Sequence, residues 1–161
     1  MGPLSRFIHY IEIVCGISMT RVMATGVFDI LHPGHIHFLQ EAAKNGDELV
    51  VVVARDETAK KNGKQLLFDE RTRLMMISQL RIVNRAVLGA IGDIYTTVEQ
   101  VKPDIIALGY DQKFDPAEIV RKCSERGIQV RVLRMSRSNH DGPPSTTEIK
   151  RKLISEIQNR F

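Results

Sequence analysis

Cysteine is scarce in this chain of 161 residues, with only Cys15 and Cys123, far apart in sequence. They match no zinc-ligand spacing and give no disulfide framework. That excludes small stapled secreted domains and points to a cytoplasmic setting. No apolar stretch approaches the roughly 20 residues of a membrane span, so a membrane partner is not expected. Aromatic residues make up 6% of the chain, without the aromatic signature of RNA binders, so nucleic acid is not an expected partner either. Internal repeats and low-complexity tracts are also missing. What is there is the composition of an ordinary soluble protein, 43% hydrophobic and long enough to bury a core as one domain.

The net charge of +4 is unevenly placed. From Ala117 onward there are 10 Lys and Arg against 5 Asp and Glu, and before it 13 against 14. A basic C-terminal third suits a phosphorylated small molecule, a nucleic acid or membrane surface, or simply a solvated helix face. Residues 1–18 stand apart. Their apolar run from Phe7 to Gly16 is interrupted by His9 and Glu12, unlike a signal peptide. Met19 directly precedes the first core strand. Residues 1–18 are therefore expected to be a non-native or non-essential extension, the alternative being a short extra element packed on the domain, and residues 19–161 to form the domain.

Strand and helix signals alternate along the chain. Val22 to Val27, Leu49 to Ala54, Ala86 to Leu88, Ile105 to Leu108 and Gln129 to Leu133 read as strands. Pro33 begins a helix that Gly46 is expected to stop. Further helices are expected from Asp69 to Leu80, Ile94 to Val101, Pro116 to Arg126 and Thr146 to Ile157, with Arg55 to Lys64 as a polar loop. Five such alternations predict a single α/β, Rossmann-like domain: a five-stranded, doubly wound parallel sheet with helices on both faces. Ligands of such folds bind beyond the carboxyl ends of the strands, where strand order switches. Asp29, His32, Arg55, Asp56, Tyr110, Asp111 and Ser136 all follow strand ends and are expected on that rim.

The most informative run is Ala24-Thr25-Gly26-Val27-Phe28-Asp29-Ile30-Leu31-His32-Pro33-Gly34-His35. It joins a strand end, a Gly-containing turn and two histidines at a helix start, where free amides and the helix dipole attract anions. Two imidazoles there are suited to a triphosphate. Their plainer roles would be a helix cap and a buried, satisfied histidine. Preceded by Gly-Val-Phe-Asp after a strand, the run resembles the His-x-Gly-His signature of the cytidylyltransferase-like nucleotidyltransferases. The resemblance implies that His32 and His35 are catalytic, stabilising nucleotidyl transfer without a covalent enzyme intermediate. It also implies nucleotide contacts from Val27, Phe28, Asp29, His32, Pro33, Gly34 and His35. Val27 stands where that family usually has Thr; a backbone contact survives the change and a hydroxyl contact does not.

Other features join the constellation. Ser145-Thr146-Thr147-Glu148 opens the last helix as a capping box, and its hydroxyls and free amides are equally suited to phosphate. It resembles the Ile-Ser-Thr-Thr element of glycerol-3-phosphate cytidylyltransferases, with Pro144 in place of Ile. Gly109 and Asp111 close the fourth strand as nucleotide-binding candidates, or as a simple turn with a solvated Asp. Lys60, Lys61 and Lys64 crowd what reads as a flexible loop, free to close over a triphosphate or merely solvated. Arg71 and Arg73 oppose the dipole in a first helical turn, which a bound phosphate would explain as well as surface placement does. Metal ligation by side chains alone is not expected; Mg²⁺ or a similar divalent ion would ride on the triphosphate, near Asp29.

The resemblance spans about Thr20 to Leu153. Within the family, Ala54-Arg55-Asp56-Glu57-Thr58 and Ile105 to Gln112 look most like the archaeal FAD synthase branch. That likeness implies ATP as substrate, FMN as the phosphorylated acceptor, pyrophosphate as the leaving product and a homodimer. Transfer from CTP to glycerol 3-phosphate, adenylyl transfer to a sugar phosphate or phosphopantetheine, and a non-catalytic nucleotide-binding regulator are the alternatives.

Overall fold

The computed structural model describes residues 18–138 and 145–160. Apart from Ser18, the N-terminal extension lies outside the described residues, as do Cys15 and Pro144. Five strands, β1 (Arg21–Gly26), β2 (Glu48–Val53), β3 (Arg85–Leu88), β4 (Ile105–Leu108) and β5 (Arg131–Arg134), form one sheet. All pairings are parallel and the order is β3-β2-β1-β4-β5. Between them run α1 (Pro33–Ala43), α2 (Asp56–Lys61), α3 (Glu70–Ser78), α4 (Ile94–Val101) and α5 (Pro116–Ser124), with α6 (Thr146–Gln158) after β5. This is the expected doubly wound architecture, and the strand order reverses between β1 and β4. None of the described helices is long and apolar enough to cross a membrane.

The period-two alternation of the strands divides the core into two layers. Val22, Ala24, Leu49, Val51, Val53, Ile105 and Ala107 face Leu39 and Ala42 of α1 and Ile77 of α3. Met23, Val50, Val52, Ile106 and Leu108 face Val98 and Val101 of α4 and Ile119 and Cys123 of α5. β2 and β4 are buried almost throughout because helices cover both faces of the sheet. Local chemistry sets the helix starts. Asp69, Asp93, Asp115 and Ser145 each accept an amide of the following turn, at Thr72, Tyr95, Ala117 and Glu148.

Two local expectations are corrected. Residues 56–61 form α2 instead of a loop, with Asp56 and Glu57 in its first turn, Lys60 and Lys61 in its last, and Ala59 buried. Those charges complement the helix dipole, and Lys61 pairs with Glu57 at 2.6 Å across one turn. Gly46 does not stop α1, which closes at Lys44 in ordinary right-handed backbone. Glycine is needed there because a Cβ would lie 2.5 Å from the Thr20 carbonyl oxygen.

Arg73 is the third surprise. It is fully buried, neither on the surface nor free for a phosphate. Its guanidinium donates to the carbonyls of Phe68, Val27 and Ala54 and to the carboxylate of Asp56. The ends of β1 and β2 are thereby tied to the starts of α2 and α3. Replacing it leaves buried acceptors and Asp56 without a partner. Arg73→Met is expected to lower unfolding free energy by about 3–5 kcal/mol, read from urea denaturation; a loss below about 1 kcal/mol, the size of an exposed pair, would contradict the role.

Candidate active site

β1 runs out at Gly26, and the chain turns at Phe28 with φ of 53°. A bulky side chain is strained in that region, and such strain persists only where the surroundings enforce it. Here the Phe28 ring is 1% exposed and lies under Gly26, where a Cβ would come within 2.7 Å of it. The ring meets His35 edge-on, with centroids 5.2 Å apart. His35 stacks on His32 with centroids 3.8 Å apart and planes inclined by 28°. Gly26, Phe28, His35 and His32 thus form a continuous stack leading from the end of the central strand. Phe28, expected as a nucleotide contact, is the buried support of the pair.

His32 is also the N-cap of α1. Its Nδ1 accepts the Gly34 amide at 3.1 Å, so in the neutral ring the proton sits on Nε2, the nitrogen left to donate to a ligand. Burial lowers the pKa of His32, while the exposed carboxylate of Asp111 pulls it up. His35 is pushed from its ordinary 6.5 down to about 4, first by burial and then by His32. The Ile30 backbone and Asp29 act in the opposite direction. Its Nδ1 is sealed from solvent without a hydrogen-bond partner. Both rings are therefore neutral near pH 7.

Asp29 is 4% exposed and fully engaged. It accepts the amides of Leu67 and Phe68 and the ammonium of Lys150. Burial alone would raise its pKa, but those donors outweigh it and hold the carboxyl below its ordinary value. Asp29 therefore ties three segments together and has no oxygen free for a metal. Among the described residues no group of three or more His, Cys, Asp or Glu is placed to hold a metal ion. The Val27 carbonyl is likewise taken, by Arg73.

Across the switch point, Gly109 and Asp111 follow β4. Gln112 fixes their turn by accepting the Gly109 amide at 3.0 Å and donating to the Thr25 carbonyl of β1 at 2.8 Å. Arg134 braces the same loop through the carbonyls of Gly109, Gln112 and Phe114. Tyr110 is exposed, with the Arg137 guanidinium 5.7 Å from its ring centre. Ser136 meets His37 of α1 at 3.3 Å. The first turn of α6 reaches the histidine loop, Thr146 Oγ1 lying 3.5 Å from the Ile30 carbonyl oxygen. The fold thus gathers His32, His35, Pro33 and Gly34 with Gly109, Asp111, Ser145, Thr146 and Thr147 around one rim.

The remaining basic candidates lie on and around α2 and at the start of α3. Lys60 and Lys61 sit on α2 and Lys64 follows it, all exposed. Arg71 lines a separate polar cleft of about 340 Å³ with Arg55, Glu57 and Ile91. Sequence reasoning gave Arg73 the wrong setting and missed the roles of Lys150, Gln112 and Arg134. Only Arg73 left a trace: it stands four residues before buried Ile77, on the face of α3 that meets the sheet.

A Rossmann-like sheet with a histidine pair at the start of its first crossover helix defines a nucleotidyltransferase. The family model described as cytidylyltransferase-like matches residues 23–152, and the chain belongs to that family. Among its relatives are two archaeal proteins named FAD synthase. That of Thermoplasma volcanium is 58% identical over 139 residues, 86% of this chain and 96% of its own. That of Picrophilus torridus is 52% identical over 141 residues, 87% of this chain and 99% of its own. A crystal structure from Thermoplasma volcanium, described as a lipopolysaccharide core biosynthesis protein, superposes with a TM-score of 0.75. It is 61% identical and covers 76% of this chain and 100% of its own.

The depressed pKa of His35 has a consequence for stability. Between pH 6.5 and about 4 the unfolded chain holds a proton that the folded chain does not. The contribution to stability is therefore complete above pH 6.5 and is lost as pH falls toward 4. His35→Asn is expected to flatten the decline in that window, measured by denaturant melts at several pH values. An unchanged slope would mean that His35 is not held neutral by the fold.

Proposed function

We propose that the chain transfers AMP from ATP to FMN, forming FAD and releasing pyrophosphate. An FMN phosphate oxygen attacks the α-phosphorus, the bond from that phosphorus to the oxygen bridging the β-phosphate breaks, and pyrophosphate leaves. The observation that carries the acceptor is the 52–58% identity to archaeal proteins named FAD synthase, along nearly their whole lengths. The name of the crystallised relative, lipopolysaccharide core biosynthesis protein, keeps a sugar phosphate as the competing acceptor.

Catalysis in this reading is positioning and charge stabilisation by groups already in place. The Nε2 proton of His32 and the neutral ring of His35 face the charge that develops on the α-phosphate; the first amides of α1 are already engaged, Gly34 by His32 Nδ1 and His35 and Ile36 by the His32 carbonyl. Ser145, Thr146, Thr147 and the amides of the first turn of α6 hold the outer phosphates, and Gly109 and Asp111 face the nucleoside. Lys60, Lys61, Lys64 and Arg71, exposed on and around α2 and at the start of α3, are candidates for phosphate or acceptor contacts. Val27, Phe28 and Asp29 act from beneath, as the scaffold of the loop. The nucleotide enters with its divalent ion, carried on the triphosphate. A cytoplasmic homodimer belongs to the same proposal, and the exposed Leu153, Ile154 and Ile157 of α6 favour the dimer.

The purified protein, given magnesium, ATP, CTP and each of FMN, glycerol 3-phosphate and a hexose phosphate, is expected to yield FAD as the main product by chromatography. CDP-glycerol or a nucleotide sugar as main product, without FAD, would reject the acceptor and leave the reaction class intact. His35→Asn is expected to lower turnover by about a hundred- to a thousandfold. Its ATP affinity, measured by calorimetry, should stay within about tenfold, since amides and hydroxyls supply much of the ground-state binding. Wild-type turnover in this variant would remove His35 from the mechanism.

A further inference from the structure

Helices α1 to α5 each bury at least one side chain in the body: Leu39 on α1, Ala59 on α2, Ile77 on α3, Val98 on α4 and Ile119 on α5. α6 buries none. Its second half carries Leu153, Ile154 and Ile157, each more than half exposed. The contacts that tie α6 down are polar and lie in its first two turns. Thr146 Oγ1 reaches the Ile30 carbonyl, and one turn later Lys150 Nζ donates to Asp29 Oδ2 at 2.9 Å and to the Gln65 carbonyl at 2.6 Å. Positions 146 and 150 share a face, with Ile149 half-buried beside them.

The other end of this tie is stiff. Asp29 stands three residues before His32 and also holds the amides of Leu67 and Phe68. An ion pair between two exposed side chains contributes little. Here the Asp29 side chain is 5% exposed and that of Lys150 32%, so solvent screens their attraction less.

We propose that Lys150 is a positioning residue. Its ion pair with Asp29 sets the start of α6 against the histidine loop, so that Ser145, Thr146, Thr147 and the two imidazoles close on one triphosphate. The proposal rests on the reading of that site as a triphosphate site. Lys150 acts through the helix, because its amine is already shared between Asp29 and Gln65. The histidines keep their own support, from Phe28 and Gly26. Loosening α6 therefore weakens ground-state binding while leaving the chemical step nearly intact.

The test uses the full chain, Lys150→Met and Lys150→Arg. In Lys150→Met the KM for ATP should rise roughly tenfold, the size of one lost charge-assisted contact, with kcat within about threefold. Lys150→Arg, which keeps the charge, should recover most of the loss. Independently of turnover, inorganic tripolyphosphate should slow amide hydrogen exchange in residues 145–158 of the wild type and do so much less in Lys150→Met. Wild-type protection lost in Lys150→Met supports the tie even if no acceptor yields FAD, in which case only the acceptor assignment fails. Absence of protection in the wild type overturns the proposal even if FAD forms, and needs no variant. Unchanged KM and protection in Lys150→Met, or a fall in kcat at constant KM, would also overturn it.

Discussion

The rest of this structure depends on one buried cation. The carboxyl end of a parallel sheet presents strand-end carbonyls to a crevice that must stay open for ligand, so no helix can pack there to satisfy them. Arg73 does so from below. A guanidinium offers five donors in a fixed fork, and this one meets three carbonyls and a carboxylate at once. Lysine has neither the geometry nor the reach to three separate segments. Desolvating the charge is expensive, and Asp56 offsets part of that cost. In return, Val27 at the end of β1 is held, and the turn built on it can keep an unfavourable backbone.

That turn is where the molecule accepts local strain. Phe28 sits at positive φ, His35 leaves a nitrogen unpartnered, and two imidazoles stack although protonating one would disfavour the other. None of these would persist in isolation. They persist because Gly26 admits the Phe28 ring beneath it and the core closes around that ring. The result is a pair of neutral donors with little freedom to reorganise, placed where the two halves of the sheet diverge. Bound polyphosphate would raise the basicity of both rings, since opposite charge favours the protonated form. The polar tie of α6 fits the same division of labour. Elements that set the histidines are packed, and the element expected to hold the outer phosphates is held by an ion pair and hydrogen bonds.

Much of this was readable from local pattern. The continuous apolar runs of β2 and β4 could only be strands covered on both faces, and Asp69, Pro33 and Ser145 mark helix starts through capping chemistry that acts within one turn. Alternation of those elements determined the doubly wound class, and with it the rim on which the histidines, Gly109, Asp111 and Ser145 had to meet. Local signals failed where two periodicities or two roles compete. Asp56 to Lys61 is polar enough for a loop, yet its charges are ordered for a helix. Gly46 sits where a helix stop belongs, but a carbonyl from Thr20 is the reason for glycine there.

What the sequence by itself determined was therefore the fold class and the placing of the histidine motif, which rest on interactions between residues a few positions apart; the chemistry of nucleotidyl transfer came from the resemblance of that motif to a known family. Only the tertiary structure decided that Arg73 is buried, that the Phe28 ring supports His35, and that Asp29 belongs to Lys150, 121 residues away. Each of those outcomes depends on which distant carbonyl, ring or carboxylate a side chain meets, and on how much water is excluded when it does. A charge in a first helical turn looks the same in sequence whether it faces solvent or three orphaned carbonyls, and desolvation makes the difference between them.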